Sequence, residues 1–341
     1  MSMKPNTPHV SVIMPTHNCA AFIVEAIESV LAQTYAEYEI IVVDDGSTDD
    51  TSTVLAPYRN KIRYLYQAKR GCAAARNAAI GEARGELIAL LDADDIWFPN
   101  KLELQVEALR AHPDSALCFT DFLEFDMSGV TTHSRLNTRA NARSWFERHW
   151  ISKSDVACGP MYKELLQANW IHTSSVIMRK TVLAEVGGYD EAFAAGEDYD
   201  LWLRIARTHP LVCVNRVLSG YRYRPQSLCG PMESRGMSYS QIIAQVLEKH
   251  LREKSIPSAL RDLVAEKVGQ CYWELGWSLF RQNRLADSRE LLWRGFRHRP
   301  FHRLMWLYWC ASFLPIGIVE AIRRMKRWGR ASQARPEAAP H

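Results

Sequence analysis

Three aspartates within four positions, Asp92, Asp94 and Asp95, close an apolar run at residues 87–91 in Leu-Ile-Ala-Leu-Leu-Asp-Ala-Asp-Asp. Carboxylates packed this tightly repel one another and lose solvation, so they need a cation. Hard divalent ions take oxygen ligands and share them with substrate phosphates. An Asp-x-Asp in this setting points to a metal–diphosphate site. The competing use is to cap the helix that Pro99 opens. One aspartate satisfies a cap, and three exceed it.

Three further constellations carry chemistry. In Val43-Asp44-Asp45-Gly46-Ser47, a carboxylate could accept the N–H of a nucleobase, or the acids and Gly46 could simply build a turn; both readings stay open. Arg76 is a lone cation within Gly71-Cys72-Ala73-Ala74-Ala75-Arg76-Asn77-Ala78. It could fork toward a nucleotide or pair with a strand-end aspartate. Gly196-Glu197-Asp198-Tyr199-Asp200-Leu201-Trp202 opens a helix with three acids, which the helix dipole favours by ~0.3–1 kcal/mol each. A carboxylate at that mouth is also placed to act as a general base, with Trp202 as an apolar platform for a sugar ring.

The elements that must position these groups follow from periodicity. Residues 87–91 are apolar on both faces, as in a buried strand of a parallel sheet. Ligands of such sheets bind beyond the carboxyl ends of the strands. Further strands are expected at 10–14, 39–43, 62–66 and 116–120, alternating with helices at 20–33, 49–56, 71–83 and 101–111. This is the pattern of a doubly wound, mostly parallel α/β sheet. Residues 128–162 have weak periodicity and read as a variable insertion beside the site. Ordered structure is expected again at 171–178, with a helix at 197–208 and strands at 212–214 and 217–223. From residue 234 the chain reads as helical, with helices at 239–252, 259–280 and 284–297 and a Trp-rich segment around Trp306 and Trp309. The expected domains are 9–225, with its insertion, and a helical extension over 234–329, followed by a disordered tail at 330–341.

The net charge of +4 implies no polyanion, and nucleic acid is not an expected partner. Its distribution is uneven: residues 281–330 hold twelve Lys/Arg against three Asp/Glu, a local +9 that leaves −5 elsewhere. There Trp306, Tyr308, Trp309 and Trp328 mix with Arg323, Arg324, Lys326 and Arg327. That composition suits an anionic membrane surface, or a packing domain with a basic exterior; an oligomer is left open. Eight scattered cysteines without a Cys-x-x-Cys pair read as buried hydrophobes in a reducing compartment. The polar start from Met1 to His9 shows no signal peptide. The longest apolar stretch, 304–319, is broken by Pro315 and Gly317 and falls short of the ~20 residues a bilayer requires. A cytoplasmic protein at the inner face of a membrane is expected.

Taken in order, Val10-Ser11-Val12-Ile13-Met14-Pro15-Thr16-His17-Asn18, Val43-Asp44-Asp45-Gly46-Ser47, Ala75-Arg76-Asn77, Leu91-Asp92-Ala93-Asp94-Asp95 and Glu197-Asp198-Tyr199-Asp200-Leu201-Trp202 resemble the family 2 glycosyltransferases, over about residues 9–225. The resemblance implies a GT-A fold. It also implies inverting, metal-dependent transfer from a nucleotide-diphosphate sugar, a UDP-sugar, to a hydroxyl of a glycan or lipid-linked acceptor, as in bacterial cell-surface polysaccharide synthesis. By the same resemblance, Pro15 and Thr16 border the nucleotide pocket, Asp45 with Asp44 holds the base, and Arg76 contacts the nucleoside side. Asp92 reaches the ribose, and Asp94 binds Mn²⁺ or Mg²⁺ on the diphosphate. Asp198 is the catalytic base; Glu197, Trp202, His172, Thr173 and Ser174 line the acceptor side. One departure stands out: where relatives often carry a His two residues after the Arg of a Tyr-Arg pair, this chain has Arg224. Arginine cannot ligate a metal but forks onto phosphate. Two alternatives are weaker. Nucleotidyl transfer usually needs a glycine-rich basic loop after the first strand, and residues 14–19 have neither glycine nor Lys/Arg. A non-catalytic nucleotide-sugar-binding protein would have lost the base, yet Asp198 is present.

Overall fold

A computed structural model of the chain describes residues 9–130, 132–136, 138, 140–151, 155–224, 238–253 and 256–321. Most of the expected polar start, Cys229, the basic run from Arg323 to Arg327, Trp328 and the expected tail at 330–341 lie outside the described residues. The chain divides into two compact units, Met1–Gly236 and Met237–His341.

The first unit begins with β1 (Val10–Thr16), α1 (Ile23–Leu31), β2 (Tyr38–Asp45), α2 (Thr51–Val54), β3 (Arg63–Gln67), α3 (Cys72–Glu82) and β4 (Leu87–Leu90). A short β5 (Ile96–Trp97), α4 (Lys101–Ala111), β6 (Leu117–Asp126) and β7 (Gly129–Val130) follow. Then come α5 (Ala140–His149), β8 (Val156–Gly159), α6 (Tyr162–Gln167), β9 (Ile177–Arg179), α7 (Lys180–Val186), α8 (Glu197–Ala206) and β10 (Leu211–Arg222). The amphipathic spacing of Ile23, Ala26, Ile27 and Val30 turns one face of α1 onto the apolar β1 residues Val10, Val12 and Met14, all fully buried. Burying each large aliphatic chain of this kind contributes about 1.5–3 kcal/mol.

The strands form one sheet in the order β3-β2-β1-β4-β9-β6-β10-β5, with β7 on β6 and β8 on β10. β3, β2, β1 and β4 are parallel neighbours. β9 runs antiparallel to both β4 and β6, and β10 is parallel to β6. β3, β2, β1, β4, β6 and β10 therefore point the same way. Their carboxyl ends bring Thr16, Asp45, the acids after β4 and the end of β10 to one edge, where ligands of open sheets bind.

Several expectations need correction. The segment at 128–162 is not simply an irregular loop. Ala142, Trp145 and Phe146 bury one stripe of α5, and β8 pairs with β10 from Leu211↔Gly159 to Val214↔Val156. The Trp145 indole donates to Pro160 O at 2.9 Å and stacks on His149, its centroid 4.9 Å away. Buried Asp121 anchors the segment's start by accepting the Arg135 and Leu136 N–H groups, each at 3.0 Å. The strands expected at 212–214 and 217–223 are one strand, irregular in register where Val214 gives way to Val217. The ordered stretch expected at 171–178 is a 3-10 turn at Thr173–Ser175 followed by the start of β9 at Ile177.

The second unit holds α9 (Tyr239–Arg252), α10 (Ser258–Arg281), α11 (Leu285–Phe296) and α12 (Arg303–Ala311). α10 and α11 form a close hairpin: the Ser288 hydroxyl donates to Gly276 O at 2.7 Å, and a Cβ on Gly276 would meet Leu292 Cγ at 2.6 Å. Met305 of α12 is buried against Leu292 and Phe296 of α11. Among the described residues no helix is long and apolar enough to cross a membrane, and the seven cysteines are free thiols.

Candidate active site

The end of β2 is held by its own loop. Asp45, 4% exposed, accepts Gln67 Nε2–H at 2.7 Å and the Arg70 N–H at 2.8 Å on one oxygen, and the Gly71 N–H at 2.8 Å on the other. Burial alone would raise its pKa, but these donors outweigh it and hold the carboxyl below its ordinary value. Asp44 accepts the Ser47 N–H at 2.8 Å and the Tyr64 hydroxyl at 2.7 Å. The turn needs Gly46: its φ is +73°, and a Cβ there would stand 2.9 Å from Lys69 N. Asn18, beyond β1, joins the two strand ends. Its side-chain oxygen accepts the Thr48 N–H at 2.7 Å, and its own N–H donates to Ser47 Oγ at 2.9 Å. Pro15 and Thr16 are buried at the end of β1, and His17 lies 2.9 Å from Lys69 Nζ.

The acids after β4 are held differently. Arg76, 3% exposed on α3, donates from one terminal nitrogen to Asp92 at 2.7 Å and from the other to Glu197 at 2.6 Å. The guanidinium lies over the Tyr189 ring at 5.3 Å. Both readings of Arg76 as an ion-pair partner and as a group beside a ligand pocket are compatible with this fork. Burial pushes the Glu197 carboxyl above its ordinary value even against Arg76. Asn77 fixes the neighbouring turn: its amide donates to Tyr189 O at 2.9 Å, and its oxygen accepts the Tyr189 N–H at 2.9 Å.

Asp94 is gripped by Arg224, whose Nε donates to it at 2.8 Å and whose terminal nitrogen donates to the same oxygen. Burial, with the Asp95 carboxylate next in weight, raises the Asp94 pKa to about 6 despite that cation. Asp95 is a hub within the protein. It accepts Nε2–H of His172 at 2.9 Å, the Ser174 hydroxyl at 2.6 Å and the Arg222 N–H at 2.9 Å. Burial would lower the His172 pKa; contact with Asp95 outweighs this and raises it, so the ring keeps its proton more firmly. Arg222 also donates to Asp94 O at 2.9 Å and to Glu25 at 2.5 Å, locking the end of β10 onto the β4 loop and α1. The sequence named Asp95 and, through the resemblance, His172 and Ser174, but not their contact with it or that of Arg222, because none is near Asp95 in the chain.

α8 supplies the last acids. Gly196, at φ +87°, turns the chain into the helix. Asp198 is half-buried and accepts the Thr173 hydroxyl at 2.9 Å. Asp200 is buried in an ion pair with Arg204 at 2.8 Å, whose guanidinium also donates to the carbonyls of Val186, Gly187 and Gly188. Trp202 has no exposed surface. The sugar-platform role expected of it is therefore corrected: the ring faces the core because it lies on the inward side of α8 with Leu201 and Ile205. Thr173 and His172 are largely buried beside Asp198 and Asp95, while Glu197 is occupied by Arg76.

Oxygen donors of this kind suit Mg²⁺ or Mn²⁺, which often take one or two carboxylates and fill the remaining positions with phosphate oxygens and water. Burial, and next to it the Asp95 and Asp92 carboxylates, disfavour the charged form of Asp94, a setting that a cation beside it would relieve. No group of three metal-ligating side chains occurs among the described residues, so most ligands would have to come from the substrate and solvent.

Comparison with known proteins now bears on this geometry. The sequence model described as "Glycosyl transferase family 2" matches residues 11–166. An uncharacterized glycosyltransferase of Rickettsia prowazekii is 30% identical over 256 residues, covering 74% of this chain and 77% of its own. A chondroitin synthase of Escherichia coli is 32% identical over 224 residues, covering 62% of this chain and 29% of its own. Among solved structures, S. aureus TarS 1–349 in complex with UDP-GlcNAc superposes with a TM-score of 0.61 at 17% identity, covering 89% of each chain. The mannosyltransferase PcManGT from Pyrobaculum calidifontis, in complex with GDP-Man and Mn2+, gives 0.56 at 20% identity over 90% of this chain and 86% of its own. At such identities these two likenesses show the fold, which is of the GT-A type.

Proposed function

The chain belongs to the family 2 glycosyltransferases, and from that premise we propose an inverting enzyme that moves a sugar from a UDP-sugar to a hydroxyl of a glycan or lipid-linked acceptor. The observation that carries this reading is the Arg76 fork. One guanidinium joins Asp92 after β4 to Glu197 on α8, so the next residue, Asp198, stands beside the strand-end acids. That proximity is what a displacement requires, with an acceptor oxygen on one side of the sugar and a diphosphate on the other.

In this reading the nucleotide lies along the ends of β1 and β2, bordered by Pro15 and Thr16, with Asp45 and Asp44 toward the base and Asp92 toward the ribose. Asp94 would hold Mn²⁺ or Mg²⁺. When bound, the cation supplies charge to the departing diphosphate. Arg224, already at Asp94, adds two N–H donors that fork onto a phosphate as negative charge develops there. Asp198 accepts the proton of the attacking hydroxyl, and its bond from Thr173 keeps one oxygen oriented. Solved neighbours holding UDP-GlcNAc, and GDP-Man with Mn2+, support a nucleotide-sugar donor. The relative named chondroitin synthase supports a glycan acceptor. Contact of the C-terminal helices with the inner face of a membrane belongs to the same proposal.

The test is release of UDP from a set of UDP-sugars, with and without EDTA. Asp198→Asn is expected to lower turnover by about 10²–10⁴ while UDP binding, measured by calorimetry, stays within about twofold. Unchanged turnover would remove the base assignment. Full activity in EDTA would remove the cation.

A further inference from the structure

α12 is apolar all round. Of its nine residues, Arg-Leu-Met-Trp-Leu-Tyr-Trp-Cys-Ala, only Arg303 is charged. A helix of that kind is normally covered on every side. Its inner side is: Met305 is buried, and Tyr308 and Trp309 pack with Trp273, Phe296 and Phe280. Among the described residues nothing covers the outer side. Leu304 and Leu307, three positions apart, are 53% and 56% exposed, and Phe301 before the helix is 93% exposed. Exposed Phe313, Leu314, Ile316 and Ile318 extend the uncovered apolar surface past the helix end. With Trp306, eight large apolar side chains are exposed within residues 301–318, more than scattered surface residues account for.

Charge identifies the occupant. Arg303 on α12 and Arg297 at the end of α11 are exposed beside this surface, Arg281 is exposed at the end of α10, and Arg284 and Arg294 are exposed in pairs with Asp287 and Glu290; the sequence continues with Arg323, Arg324, Lys326, Arg327 and Arg330. A second copy of this surface would bring like charges together. An anionic bilayer offers both an apolar layer for Phe301, Leu304 and Leu307 and phosphate groups for the arginines. We propose that the outer face of α12, with Phe301 and the segment at 312–318, inserts shallowly into a membrane surface rich in anionic lipid and fixes the enzyme there. This deepens the membrane contact in the proposed function by naming its surface and the lipid charge it requires.

The full chain is tested by co-sedimentation with vesicles of phosphatidylcholine alone or with phosphatidylglycerol at about three to one. Binding to the anionic vesicles and not the neutral ones is expected, weakening as salt rises. Leu304→Ser with Leu307→Ser, and separately Arg297→Glu with Arg303→Glu, should each reduce it by about tenfold or more. All four side chains are exposed, so folding is not at stake, and UDP binding of both variants should match the parent. Lost lipid binding with intact UDP binding would test this surface independently of the transferase reading. Equal pelleting with both vesicle types, no pelleting with either, or a salt-stable dimer that Leu304→Ser with Leu307→Ser dissolves would overturn the proposal.

Discussion

At the end of β2, Asp44 and Asp45 accept hydrogen bonds from Ser47, Arg70 and Gly71 N–H groups and from Tyr64 and Gln67, all within the β2–α3 segment. After β4, Asp92 and Asp94 are instead held by guanidinium groups brought from α3 and from beyond β10. Fixed backbone dipoles settle the first pair whether or not a ligand is present. The second pair depends on side chains, the buried Arg76 and the more accessible Arg224. In the function proposed above, one strand end would shape the pocket while the other would do the electrostatic work of the reaction.

The largest expected effect comes from removing a charge on the β4 side. Asp94→Asn should lower turnover by about 10²–10³ in a UDP-release assay, with thermal stability equal to or above the parent, since the side chain sits beside two other acids. A loss under about tenfold would mean that Asp94 is as structural as Asp45, and the contrast would fail.

pH should separate the two ends by sign. The folded Asp94 carboxyl titrates at about 6, above its ordinary 3.8, so the folded state binds that proton more tightly. Its contribution to stability is complete below about pH 4 and is lost as pH rises through about 6, by at most about 3 kcal/mol. Asp45 is shifted the other way. Its contribution is present above pH ~4 and is lost as pH falls below that. Urea unfolding of the donor-free protein in EDTA, across acidic to neutral pH, reads both. Asp94→Asn should flatten only the upper limb and Asp45→Asn only the lower one.

How much of this was legible beforehand follows the same physics. The parallel strands β1 to β4 and the acids at their ends were readable, because burial on both faces leaves continuous apolar runs and acids at a run's end are conspicuous. The partners were not. Glu25 with Arg222, Ser174 with Asp95 and Thr173 with Asp198 meet only after the sheet order is set, and antiparallel β9 between β4 and β6 has no local signature. α5 was missed because its buried stripe spans barely a turn, Ala142 to Phe146, among polar neighbours. Trp202 misled for a simple reason: the type that suits a sugar platform also suits a core, and only burial separates the two uses.

The smallest effects lie at the β2 end and turn on proton bookkeeping. Asp45 accepts a backbone N–H on each oxygen, from Arg70 and from Gly71, and neither donor can reverse. An amide in its place must turn an NH₂ toward at least one backbone N–H, so Asp45→Asn should cost about 1–3 kcal/mol and raise KM more than it lowers kcat. Asp44 differs by one partner. Its second oxygen receives the Tyr64 hydroxyl, which can rotate and accept instead. Asp44→Asn can therefore keep the Ser47 N–H on its oxygen and donate to Tyr64, for a cost of about 0.5 kcal/mol or less. Tyr64→Phe in the Asp44→Asn background removes that acceptor and should bring the loss up to the Asp45→Asn value. Chemical denaturation of the three variants distinguishes them. Equal losses for the two single aspartate changes would show that lost charge, rather than donor direction, governs this strand end.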